Sequence, residues 1–123
     1  MTVFVKRAEA SNVRFPNDTG SDLAQYEFAV VGPYAAVADE VITAAATGSL
    51  YVQEGIHIET SDLVTGEDTF DTEGQEVYWD STGQEFSDTE TAGYYLVGYL
   101  IEARDSDGVI VFEKLRYAEL ITS

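Results

Sequence analysis

Short β-prone runs recur along this chain, and each is cut off by a turn-forming cluster before it could grow into a stable helix. Asn12-Val13-Arg14-Phe15 alternates polar and apolar residues and stops at Pro16-Asn17-Asp18-Thr19-Gly20. Gln25 to Val31 is apolar and stops at Gly32-Pro33, after which Tyr34 to Val37 resumes. Ser49 to Val52, Gly55 to Glu59, Val77 to Asp80, Gln84 to Phe86, Tyr94 to Ala103 and Val109 to Lys114 follow the same plan. Thr2 to Lys6 reads as a first strand and Arg116 to Thr122 as a final strand or a tail. The runs fall about 8–12 residues apart, the spacing of a β-sandwich or barrel. The expectation is an all-β single domain over residues 1–123, a β-sandwich or barrel of about 8–10 short strands. Residues 36–47 are alanine-rich and could be capped by Gly48, so at most one short helix is expected there. Isolated helices of that length are marginal, and a turn-rich connection is the safer reading.

A chain of 123 residues buries roughly two-thirds of its unfolded surface, enough for one modest core. It has no cysteine, which removes disulfides, thiolate metal sites and cysteine nucleophiles. No apolar run is long enough for a transmembrane helix. Met1-Thr2-Val3-Phe4-Val5-Lys6-Arg7 places charge after the apolar residues and lacks the long apolar core of a signal peptide. Twenty-three Asp and Glu face six Lys and Arg, a net charge of −17. Such a surface repels nucleic acid and anionic membranes, so neither is expected as a partner. Molar salt shortens the Debye length to about 3 Å and removes most of the self-repulsion. Low lysine, many carboxylates and many small residues suggest a halophilic source. The plainer alternative is an acidic surface that keeps the chain in solution.

No catalytic, cofactor-binding or metal site stands out. His57, the single histidine, lies between Ile56 and Ile58 and faces away from them on a strand. Gly-x-Ser-x-Gly, phosphate-binding glycine loops and a Walker lysine are all absent. Carboxylate pairs such as Glu54 with Glu59, or Asp68 with Asp71, are expected by chance at this acid content. The clusters Glu67 to Glu73 and Asp105-Ser106-Asp107 do not match the spacing of a calcium loop and read as a solvated loop and a hairpin turn. Asp107-Gly108 suits a tight hairpin. Eight tyrosines are explained by strand propensity, with some available for a subunit contact.

The most specific stretch is Gly74-Gln75-Glu76-Val77-Tyr78-Trp79-Asp80, which holds the only tryptophan. A Thr- and Ser-rich connection leads from it to Leu96-Val97-Gly98 and on to Glu102-Ala103. Upstream lie Leu50-Tyr51-Val52 and Glu54-Gly55-Ile56-His57-Ile58, and a hairpin downstream returns through Val109 to Leu115. In this order the blocks resemble the small all-β capsid-decoration (cement) proteins of tailed phages and related archaeal viruses. The motif residues Val77, Tyr78, Trp79, Asp80, Leu96, Val97 and Gly98 are expected to be structural, with one of the two adjacent aromatics facing in and the other out.

The resemblance implies a non-enzymatic virion protein, made in the host cytoplasm, that sits on the capsid exterior. It implies the major capsid protein as partner, stabilisation of its lattice and a homotrimer. Val3, Phe4, Val5, Lys6 and Arg7 are then candidates for capsid contact, since residues 1–7 could pair with a capsid edge strand. An ordinary first strand inside the domain is the competing reading. Other functions consistent with the sequence are a head-completion, tail or fibre-base protein, or a carbohydrate-binding or hydrolytic β domain.

Overall fold

The structure, a computed structural model, describes residues 12–64 and 70–122. Nine strands lie within them: β1 (Asn12–Pro16), β2 (Phe28–Val31), β3 (Tyr34–Ala38), β4 (Thr47–Tyr51), β5 (His57–Thr60), β6 (Glu76–Asp80), β7 (Glu85–Ser87), β8 (Tyr95–Glu102) and β9 (Ile110–Leu120). Every strand pairing is antiparallel. The all-β expectation holds. The expected strand at Thr2 to Lys6 lies outside the described residues.

Two groups of strands share β9. In the first, the order is β5-β9-β8-β6-β7. A parallel bridge between Leu63 and Phe86 closes this group on itself. The Phe86 N–H donates to the Asp62 carbonyl (2.8 Å) and the Val64 N–H to the Phe86 carbonyl (2.9 Å). Closure makes a small barrel and removes its edges. In the second group β2 pairs with β3, β3 with β4 and β4 with β1.

The segment over residues 36–47 contains no helix. Ala36 to Ala38 complete β3, and a turn-rich connection with a bridge from Ile42 to Leu23 covers the rest. Packing overrides helix propensity here. The β2–β3 hairpin is buried on both faces. Phe28, Ala35 and Val37 enter the barrel core with Ile58, Val77, Trp79, Phe86, Val97 and Phe112. Ala29, Val31, Ala36 and Ala38 enter a second core with Leu23, Ile42, Leu50 and Val52. Double burial explains why these strands read as continuous apolar runs, and alanines leave the room that two cores require. Asn17, also buried, ties the outer loops together. Its Nδ2 donates to the carbonyls of Ser21 (2.8 Å) and Ile42 (3.0 Å).

Arg116 to Leu120 is not a separate element. It continues β9 past an irregularity: Gly98 faces Lys114 but Leu96 faces Glu119, so a step of two residues on β8 meets a step of five on β9. The bulge carries β9 across to β3, where Tyr34 faces Tyr117 and the Ala118 N–H donates to the Pro33 carbonyl (3.0 Å). At the bulge lies Lys114, fully buried. Its Nζ donates to the carbonyls of Val52 (3.1 Å), Gln53 (3.0 Å) and Leu115 (2.8 Å). Three N–H donors meet three carbonyls left over where β4 ends and β9 bends. This satisfies groups that would each cost about 1–3 kcal/mol if left bare. Gly98 permits the close approach on the other side. A Cβ there would lie 2.3 Å from the Glu113 carbonyl oxygen and 2.7 Å from the Phe112 ring.

Two predictions follow from the β8–β9 contact. Gly98→Ala forces backbone apart and lowers unfolding stability by about 1–3 kcal/mol in a denaturant titration, with the fold retained. Burial first, and Arg116 second, pull the Lys114 pKa down to about 7, against the opposing pull of Glu54. The unfolded chain therefore binds more protons than the native one between pH 7 and the ordinary lysine value, and stability rises with pH across that window. Above about pH 10 the sign reverses. A hydrogen bond to Asp39, then burial, push the Tyr51 phenol up to about 12, and burial raises Tyr78 as well. Thermal melts from pH 6 to 11 should show the rise and the fall, and Lys114→Met should flatten the rise.

Candidate functional site

The motif residues build the core. Val77 and Trp79 point into the barrel, where the Trp79 ring lies 4.7 Å from Phe86 and 5.0 Å from Phe28. Phe112 stands 5.0 Å from Phe86 and completes an aromatic cluster drawn from β2, β6, β7 and β9. Tyr78 turns to the opposite face, as strand geometry requires. That face is not open: Tyr78 is 3% exposed and Trp79 5%. The expected inward–outward division therefore gives way to burial on both sides, because Leu96 and Ile121 cover Tyr78 and leave its hydroxyl bonded to Glu76 (2.8 Å). Val97 joins the barrel core. Asp80 begins the β6–β7 turn, its Oδ1 accepting from the Thr82 N–H (3.0 Å).

Residues that suggested chemistry are dispersed. His57 is exposed on β5 opposite Glu113. Asp105 organises a hairpin turn, its Oδ1 accepting from the N–H groups of Asp107 (2.8 Å) and Val109 (3.0 Å). Asp71 and Glu73 are exposed, and residues 65–69 of that acidic stretch lie outside the described residues. Among the described residues, no three His, Asp or Glu side chains gather so as to hold a metal ion. Val3, Phe4, Val5, Lys6 and Arg7 also lie outside the described residues.

What the fold does present is an exposed aromatic and basic corner where β9 meets β3. Tyr117 is 56% exposed and Leu120 50%. Tyr117 stacks on Tyr34 at 5.7 Å, and Tyr34 meets Phe15 edge-on at 5.6 Å. The Arg116 guanidinium sits 5.6 Å from the Tyr117 ring centre. Such an anchor offers large contact area with little conformational cost. Sequence reading counted these tyrosines but could not see that a β9 bulge brings Phe15, Tyr34 and Tyr117 together. A second feature is a groove of about 230 Å³ between β2 and the β6–β7 turn, with Asp18 and Glu27 on one wall and Trp79 and Tyr95 on the other.

A family model for phage cement proteins matches residues 7–115. The chain belongs to the phage cement protein family. No curated protein and no solved structure matches it. Membership in the cement family implies a virion-associated structural protein with a capsid-stabilising, non-enzymatic role. The matched span takes in the barrel and the β2–β3 hairpin. The half-buried Arg116 and the exposed Tyr117 and Leu120 of this cement protein follow it.

The acidic surface of the cement protein makes a separate prediction. Lys114 is spent inside the fold, while Arg14 pairs with Glu40 at 3.8 Å where both side chains are more than half exposed. An exposed pair of this kind contributes at most about 1 kcal/mol. Carboxylate repulsion therefore dominates at low ionic strength. Raising salt from about 10 mM to 1 M, which cuts the Debye length from about 30 Å to 3 Å, should raise the melting temperature. The same titration on a chain with several exposed Glu changed to Gln should give a smaller slope.

Proposed function

We propose that this protein decorates the outer surface of a tailed-virus capsid and stabilises the lattice of its major capsid protein, acting as a homotrimer. The observation that carries this reading is the match to the cement family over residues 7–115. The shape of the fold supports it. A closed barrel with few free edges is a stiff body that does not pair indiscriminately with its neighbours. The acidic exterior suits a surface that never meets the packaged genome and that faces brine if the host is halophilic.

Adhesion is assigned to two regions. One holds the exposed Tyr117 and Leu120 on β9, with the half-buried Arg116 beside the Tyr117 ring. Val3, Phe4, Val5, Lys6 and Arg7 supply a β-prone, basic segment suited to pairing with a capsid edge strand. Individually weak contacts become strong when three protomers engage together, by about 10²–10⁴ in avidity.

The test is to strip the protein from purified particles, add it back and measure head stability to heat and to low salt. Stability should fall on stripping and return on re-addition. Tyr117→Ser should weaken re-binding about tenfold or more, as truncating a central aromatic anchor does, with the melting curve of the free protein little changed. Particles that lack the protein, or that are equally stable without it, contradict the proposal.

A further inference from the structure

Among the described residues β2 pairs with β3 alone, which leaves its other edge without a strand partner. Gly32-Pro33 joins β2 to β3 in a two-residue loop with Gly32 at φ +55°, the conformation that glycine provides at the first position of a type II′ turn. In such a hairpin the pair beside the loop, Val31 with Tyr34, exchanges hydrogen bonds, and bonded pairs then alternate with unbonded ones. The Ala38 N–H donating to the Glu27 carbonyl (2.9 Å) fixes the same phase. Glu27, Ala29 and Val31 therefore face β3 with their backbone groups, and Phe28 and Val30 direct theirs away from it. Gly32 is next in that outward series, and its N–H is taken by the Asp18 carboxylate at 3.1 and 3.2 Å.

Of these outward positions Val30 and Gly32 border the groove described above, whereas Phe28 is buried. Edge strands are usually guarded by lysine, proline or a bulge. β1, the other outer strand, carries Arg14 and ends in Pro16. β2 is Phe-Ala-Val-Val, with no charge and no proline. Across the groove stand Trp79 and Tyr95, whose rings offer contact to side chains of an incoming strand. Among the described residues, the charges along the groove are those of Asp18 and Glu27.

We propose that the β2 edge binds an extended segment of the capsid shell protein that carries a lysine or arginine, pairing it with the outward N–H and carbonyl of Val30. Main-chain bonds supply affinity, and Asp18 and Glu27 select the cation. The proposal rests on the cement reading and adds to it the acceptor site and the chemistry of what it accepts.

Val30→Pro removes one outward N–H without touching the bonds to β3, and proline is tolerated on an open edge. Binding to stripped shells should fall tenfold or more, while the free variant melts as a β protein near the wild-type temperature. Glu27→Gln keeps an acceptor for the Ala24 N–H, which Glu27 Oε1 now receives at 2.9 Å. It should weaken shell binding at least threefold at low salt and not at all in molar salt. Hydrogen exchange on the wild-type protein gives a reading independent of any variant. The Val30 amide should exchange rapidly in the free protein and at least tenfold more slowly on shells, whereas Val31 is protected in both. Shell binding by Val30→Pro equal to wild type, or unchanged exchange at Val30, overturns the proposal. So does a change in oligomeric state with shell binding intact, which assigns the edge to a second copy. Wild-type protein that never binds stripped shells refutes the cement reading itself, a failure distinct from the loss of this edge alone.

Discussion

The geometry of β9 governs the rest of the molecule. One strand serves as a wall of the barrel along its first half and reaches the β3 hairpin with its second. The change of partner leaves carbonyls stranded, and a buried ammonium collects three of them. A lysine in a protein interior is costly because its charge is taken out of water. Here three carbonyl acceptors offset part of that cost, and the remainder shows in the lowered Lys114 pKa. The acid-rich composition makes this notable on chemical grounds: one of six cationic side chains is committed to the interior.

Much of the fold was legible in the sequence because turn chemistry is local. Gly32-Pro33 and Asp107-Gly108 each punctuate strands where the structure has them. The Ile56, His57, Ile58 alternation placed His57 outside and both isoleucines inside. What was not legible depended on distant partners. Residues 36–47 carry helix-favouring alanines, yet those of β3 are small because two cores meet across them. Of Tyr78 and Trp79 one is expected to face out, and only the return of the chain at Leu96 and Ile121 buries Tyr78 as well. Lys114 reads only as the end of the returning Val109 to Lys114 run. Nothing local reveals that β9 bends there.

The candidate surfaces follow the same division. The ordered blocks of the sequence prove to be core elements, so the motif identifies the scaffold. The exposed Tyr117 corner and the β2 groove each assemble residues far apart in sequence, from β1, β3 and β9 in one case and from β2, β6 and β8 in the other. A cement protein can therefore keep its barrel while its adhesive surfaces change through a few substitutions on loops and strand ends.

The hairpin buried on both faces has a mechanical meaning. Phe28 and Val37 belong to one core, and their neighbours Ala29 and Ala36 to the other. Neither core can open without moving the hairpin, and the hairpin cannot move without disturbing both. The two cores are thereby coupled into one cooperative unit, and a pull on either is carried through the hairpin to the other.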